Sequence, residues 1–170
     1  MPAVGAYISP CQKGFLAGKD GGDHIVDINT LFYEAVVKKY DRLLFLLDTA
    51  KAFDCIDHDW IIHVLCRVGF PPWFRNFVKG SLSAVKVAPF FGGVPTDWID
   101  IRRGVKQGCP LSPLLFLIAY DPLLHFVSLL PSVKPFAFAD DLALFSDSVR
   151  SISPALTLIS SFSGFRAWYK

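Results

Sequence analysis

The sequence predicts an α+β fold, with antiparallel strands packed on helices, and three observations carry the prediction. Ile25, Ile28, Leu31, Phe32, Ala35 and Val36 recur at spacings of three and four, the period of a helix with one apolar face. The run RLLFLLD, from Arg42 to Asp48, is short, continuous and apolar, as expected of a strand buried in the middle of a sheet. Residues 133–138 and 142–146 are two more apolar runs separated only by a bend at 139–141, which is the pattern of a hairpin.

The remaining elements follow in order. A helix over 25–39 comes after the Gly-rich opening GKDGGDH. Residues 57–68 open with the capping-type Asp57 and Asp59 and continue WIIHVLCRV, so a second helix is predicted, ended by Gly69 and Pro71. Pro72 suits the first turn of a third helix through WFRNFVKGSL. Residues 84–91 and 98–101 read as two strands around GGVPTD. Residues 111–130 read as a long helix with Pro122 inside it, and 151–162 as a final helix.

At 170 residues the chain suits one domain with a substantial core. Hydrophobic residues make up 52% and charged ones only 19%, and the mean hydropathy is +0.41. That excess over ordinary soluble domains points to apolar surface that another segment covers. The longest apolar candidate, 111–130, is interrupted by Pro113, Asp121, Pro122 and His125, so no membrane span is expected. Residues 1–10 have no cationic start and two prolines, unlike a secretory leader, and the expected location is cytoplasmic or nuclear. Cys11, Cys55, Cys66 and Cys109 are scattered without a C-x-x-C pair, which argues for reduced, mostly buried thiols and against zinc or a disulfide framework. The net charge of +2 neither demands nor excludes a polyanionic partner.

The chemistry concentrates at Asp140 and Asp141, adjacent acids in the apolar run PFAFADDLALF. A solvated turn is the plain reading of such a pair, yet hairpin turns favour Asn-Gly or Asp-Gly, and two repelling carboxylates beside Phe138 gain from a divalent cation. Asp48, ending its own apolar strand, supplies a third acid of the same setting. Two magnesium ions roughly 3.5–4 Å apart, held by such carboxylates, activate a 3′ hydroxyl and stabilise leaving pyrophosphate in nucleotidyl transfer. Magnesium keeps water and phosphate oxygens as ligands, so few protein carboxylates suffice.

LLDTAKAFDCIDH (46–58), RRGVKQGCPLSPLLF (102–116) and FAFADDLALF (136–145), in this order, resemble the palm motifs of reverse transcriptases of non-LTR, LINE-type retrotransposons. QKGFLAGKDGGDHI (12–25) resembles the family's fingers motif, and SSFSGFRAWYK (160–170) the start of the motif after the catalytic hairpin. The resemblance implies a polymerase palm with part of the fingers: about 8–40 and 60–105 fingers-like, 41–59 and 106–147 palm, and 148–170 the start of the following motif. It implies that Asp48, Asp140 and Asp141 are the catalytic, metal-binding triad, with the carbonyl of Thr49 a further ligand. The cofactor it implies is Mg2+, two ions, with Mn2+ as a substitute.

The same resemblance makes Phe53 a steric gate under the sugar of a deoxynucleotide, where the plain reading is a core aromatic. Gln107 then contacts the incoming nucleotide, Gly108 allows close backbone approach, and Lys19 approaches the triphosphate or template. Arg102, Arg103 and Lys106 are either a solvated loop or a phosphate-binding patch. Lys170 resembles the lysine of the motif after the hairpin. Asp57 and Asp59 read as helix-capping acids rather than as a second metal site. The implied function is RNA-directed DNA polymerase, with RNA template, DNA primer and dNTP as partners. An RNA-copying RNA polymerase usually carries a polar gate and GDD, against Phe53 and FADD here.

Upstream fingers, thumb and endonuclease segments of such polyproteins have no counterpart in these 170 residues. The alternative expectation is therefore a catalytically incomplete retroelement relic, acting at most as a nucleic-acid- or protein-binding scaffold.

Overall fold

The computed structural model describes residues 4–49 and 51–162, so the expectation for Lys170 lies outside them. A 3-10 turn at Val4–Ala6 precedes α1 (Gly22–Lys38), β1 (Leu43–Leu47), α2 (Ala52–Cys55), α3 (His58–Arg67), α4 (Pro72–Ser83), β2 (Lys86–Val87), β3 (Phe90–Phe91), β4 (Val94–Pro95), β5 (Ile99–Asp100), α5 (Ser112–Ser128), β6 (Val133–Phe138), β7 (Asp141–Ser146) and α6 (Val149–Ser161). This mixture of helices and antiparallel strands is the expected α+β class. The chain gathers into two compact units, one of Met1–Lys51 with Tyr120–Phe162 and one built mainly from Ala52–Ala119.

The first unit is built on a three-stranded antiparallel sheet in the order β1-β7-β6. Leu47 stands opposite Leu142 in one ladder, and Phe138 opposite Asp141 in the other. Directly opposed residues of antiparallel strands share a face, so Leu44 and Leu46, Ala143 and Phe145, and Lys134, Phe136 and Phe138 all project to one side. Helix α1 lies on that side. Phe32 meets the Phe145 ring edge-on at 5.2 Å, His24 meets Phe136 at 5.3 Å, and Asp27 pairs with Lys134 at 3.7 Å. The opposite face carries Leu142, Leu144, Ala137 and Val133, all buried, and α6 packs against β6 and β7.

β1 departs from its expectation. Its run of five apolar residues suggested the middle of a sheet, but β7 holds the middle and β1 is an edge strand among the described residues. Leu46 is 77% exposed. A continuous apolar run reports burial on two faces, whereas position within a sheet is set by which strands pair on either side. Leu46, Ile25, Tyr33 and Val36 leave apolar surface on this unit exposed, as the composition suggested.

In the second unit α3 packs against α4. Asp57 caps α3, its Oδ1 accepting from the backbone N–H groups of Asp59 and Trp60 at 2.9 and 3.2 Å, as its position predicted. The two strands expected around GGVPTD divide into two small antiparallel pairs, β2 with β5 and β3 with β4. The turn at Gly92 and Gly93, both at positive φ, closes β3–β4. The short helix α2 was not expected, since four residues are too few to show a helical period. The thiols also differ from expectation: Cys66 is exposed and Cys11, Cys55 and Cys109 are only partly buried, all four unpaired.

Candidate active site

The hairpin of β6 and β7 turns through two residues, Ala139 and Asp140. Ala139 sits at φ +55, a left-handed conformation that hairpin turns ordinarily give to glycine or asparagine. Asp141, expected in the turn, is instead the first residue of β7, paired with Phe138. One step beyond the Leu47–Leu142 pair, Asp48 and Asp141 stand at the same end of the sheet. Both are exposed and both line one cavity of about 540 Å³ in the first unit, with Leu46, Phe138, Ala143 and Ile25 among its apolar walls. Asp140, in the turn, is half-buried.

Thr49 is buried, and its side chain hydrogen bonds to the hydroxyl of Tyr120. Burial, reinforced by the negative charges of Asp140 and Asp141 and opposed by the Thr49 hydrogen bond, pushes the Tyr120 phenol well above its ordinary range. Tyr120 was not singled out in the sequence, because a tyrosine in LLFLIAYDPLL looks like any core aromatic.

Gln12 is a second residue that sequence reasoning passed over. Its side chain is buried, and its Oε1 accepts from the N–H groups of Gly14 and Ala139, both at 2.8 Å, while its Nε2 donates to the Ala139 carbonyl at 2.9 Å. The segment around it runs beside β6: Ala137 N–H donates to the Cys11 carbonyl at 2.8 Å and Lys13 N–H to the Ala137 carbonyl at 2.9 Å. His24 Nε2 lies 2.9 Å from the Cys11 carbonyl and 3.1 Å from that of Ala137, so it carries the proton and ties α1 to the same place. The signal for Gln12 was a glutamine two residues before a glycine in QKGF, legible only once Ala139 is known to lie beside it.

Phe53, Gln107 and Gly108 belong to the second unit. Phe53 is half-buried and stacked on Phe116, centroids 4.4 Å apart and planes 16° from parallel. Its carbonyl accepts from Val105 N–H at 2.8 Å. Gln107 and Gly108 are exposed in the loop before α5, with Gly108 at φ +80. That loop is held by Ser112, whose Oγ donates to the Lys106 carbonyl at 2.6 Å. Arg102, Arg103 and Lys106 are exposed, and Arg103 stands 4.0 Å from Asp57. Lys19 is exposed on the first unit, in the loop before α1.

Among the described residues, no three His, Cys, Asp or Glu side chains are gathered closely enough to enclose a metal ion. The three carboxylates share a sheet end without closing into a cage. An all-oxygen set of acids, two of them exposed on a cavity, still suits magnesium, which takes one or two carboxylates and completes its shell with water and phosphate oxygens. It does not suit zinc, which prefers four closed ligands with nitrogen or sulfur.

The reverse transcriptase (RNA-dependent DNA polymerase) family matches residues 6–168. The chain belongs to this family. It is 34% identical over 175 aligned residues to a retrovirus-related Pol polyprotein from the type-1 retrotransposable element R2 of Popillia japonica, covering 91% of this chain and 23% of that protein. It is 32% identical to the corresponding polyprotein of the type-2 element R2DM of Drosophila melanogaster, covering 82% of the chain and 14% of the relative. The chain thus spans less than a quarter of the length of these relatives. A solved structure of apo telomerase from Candida tropicalis, truncated from its C-terminal domain, superposes with a TM-score of 0.61 over 82% of this chain and 31% of the other. At 13% identity that likeness shows the fold, and the fold agrees with the palm expected from FAFADDLALF and LLDTAKAFD. The resemblance to non-LTR retrotransposon reverse transcriptases stands.

Proposed function

We propose that this chain carries the catalytic centre of an RNA-directed DNA polymerase, joining a dNTP to a primer 3′ hydroxyl, with Asp48, Asp140 and Asp141 holding two magnesium ions. The observation that supports this most is the placement of Asp48 and Asp141 at the same sheet end, on one cavity, with Asp140 in the adjoining turn. Magnesium bound there would lower the pKa of the attacking hydroxyl and offset the charge that develops on the triphosphate. The protein groups supply position and charge. β1 and β7 bring Asp48 and Asp141 to the same end of the sheet, and exposure at the rim leaves their oxygens open to a ligand. Thr49 is assigned a ligand through its carbonyl, since its side chain is engaged by Tyr120.

On the second unit we assign Phe53 as the gate against a 2′ hydroxyl, its ring angle set by the stack on Phe116. Gln107 and Gly108 are assigned to the incoming nucleotide, Lys19 to triphosphate or template phosphates, and the RNA template and DNA primer to the surrounding surface. Residues 41–59 and 106–147 are assigned to the palm. The further fingers, thumb and endonuclease segments of a longer polyprotein are assigned as its partners.

Primer extension on an RNA template with dNTP and Mg2+ tests the reading, comparing the chain with Asp140→Ala. Extension abolished by the substitution is expected; equal incorporation by both would overturn it.

A further inference from the structure

Ala139 lies in a two-residue turn, so its N–H and C=O take no part in the β6–β7 ladder, which ends at the Phe138–Asp141 pair. Both groups are nevertheless satisfied, and by one side chain. Gln12 Oε1 takes the Ala139 N–H at 2.8 Å and Nε2 gives to the Ala139 carbonyl at 2.9 Å. The second lone pair of Oε1 takes Gly14 N–H at 2.8 Å. Two N–H donors and one carbonyl around a single carboxamide can be satisfied in only one orientation, which fixes the assignment of its oxygen and nitrogen. Among unbranched side chains of similar length none other offers an acceptor and a donor on one planar group: glutamate has no donor, lysine no acceptor, methionine neither in useful strength. The turn has been given a glutamine because it needs both.

The backbone so gripped is the residue immediately before Asp140, held at φ +55, where an alanine does not rest by preference. Left unheld, Ala139 relaxes toward negative φ and rotates the peptide plane that leads into Asp140 and Asp141. The grip is enclosed on every side. Gln12 is 1% exposed and Ala139 6%, and Gly14 is in backbone contact with Ala139.

We propose that Gln12 is a positioning residue that locks the turn at Ala139 and thereby sets the direction in which Asp140 and Asp141 present their carboxylates to metal. This rests on the proposed magnesium site and assigns the residue that preorganises it. Gln12 touches neither metal nor substrate in this role, and acts through the backbone of Ala139.

The test uses the full chain, its Gln12→Met variant, which keeps the volume and removes all three hydrogen bonds, and Gln12→Glu, which keeps the acceptors and removes the donor. Circular dichroism establishes that each is folded, and electron paramagnetic resonance of Mn2+ measures metal binding directly, without turnover. A folded Gln12→Met is expected to bind Mn2+ about tenfold more weakly, the usual scale for loss of an orienting outer partner. The Mg2+ concentration for half-maximal extension rises by a similar factor, while extension at saturating Mg2+ recovers. A purely structural role would lower the amplitude and leave the Mg2+ dependence unmoved. Mn2+ binding unchanged in folded Gln12→Met and Gln12→Glu overturns the proposal while the metal site stands. A wild-type chain that binds no Mn2+ overturns the metal site itself, and this inference with it. Should neither variant fold, amide exchange in the unsubstituted chain decides. Protection of the Ala139 amide matching that of the β6–β7 ladder supports the grip, and exchange as fast as an open turn refutes it.

Discussion

Gly14 and Ala139 are in backbone contact: a Cβ built on Gly14 would stand 2.2 Å from the Ala139 nitrogen and 2.8 Å from its Cα. Neither neighbour is the end of a flexible side chain, so one of the two backbones has to move to admit a methyl group. Gly14→Ala is therefore expected to cost about 1–3 kcal/mol, the range for overpacking a closed site. For a chain of this size each kcal/mol lowers Tm by about 2–4 °C, which thermal unfolding followed by circular dichroism will read. An unchanged Tm would show that the segment carrying Gln12 does not lie against the turn.

The three carboxylates call for separate substitutions. Asp48→Asn and Asp141→Asn keep the size of each side chain and remove its charge. Each is expected to lower primer extension by about a hundredfold or more, since a metal's charge stabilisation amounts to several kcal/mol and each 1.36 kcal/mol is a factor of ten. Both residues are exposed, so Tm should move little, and a loss of activity that tracked a loss of fold would count against a catalytic role.

Phe53 is stacked on Phe116 as closely as an ordinary core pair, and substitution separates the two readings. Phe53→Val shortens the ring edge and is expected to admit ribonucleotides, raising the ratio of rNTP to dNTP incorporation in single-nucleotide extension. A packing residue alone would lower stability and leave that ratio unchanged.

Asp121 gives a pH dependence with a definite sign. Burial raises its carboxyl above the ordinary value, against the opposing bond from Ser9 N–H at 2.6 Å. A raised folded-state pKa means that its contribution to stability is full below the unfolded value and is lost as pH rises through the folded one. Asp121→Asn keeps an acceptor for Ser9 and removes the charge. Its Tm should exceed that of the wild type at pH 7 by a small amount, about 1–2 °C because the site is partly solvated, with the gain vanishing towards pH 4.

Removing the Asp57 cap should cost about 1 kcal/mol, because Asp59 and Trp60 N–H lose the Oδ1 that accepts from both at the start of α3. Asp57→Ala should therefore lower Tm by about 2–4 °C, and Asp57→Ser should restore most of it.

The sequence by itself determined the elements whose signal is local. The periods of α1, α3 and α4, the cap at Asp57, the proline at the start of α4 and the two runs of the β6–β7 hairpin are properties of neighbouring residues, and each stands where expected. The order LLDTAKAFD, GVKQGCPLSP, FADD was likewise enough to name the family. Only the tertiary structure decided what depends on pairing. It placed β7 rather than β1 at the centre of the sheet and moved Asp141 from turn to strand. It also put Tyr120 against Thr49 and laid Gln12 across a turn 127 residues away. A side chain that bonds to backbone leaves no period or charge pattern to read, because its partner is an N–H or C=O that every residue possesses.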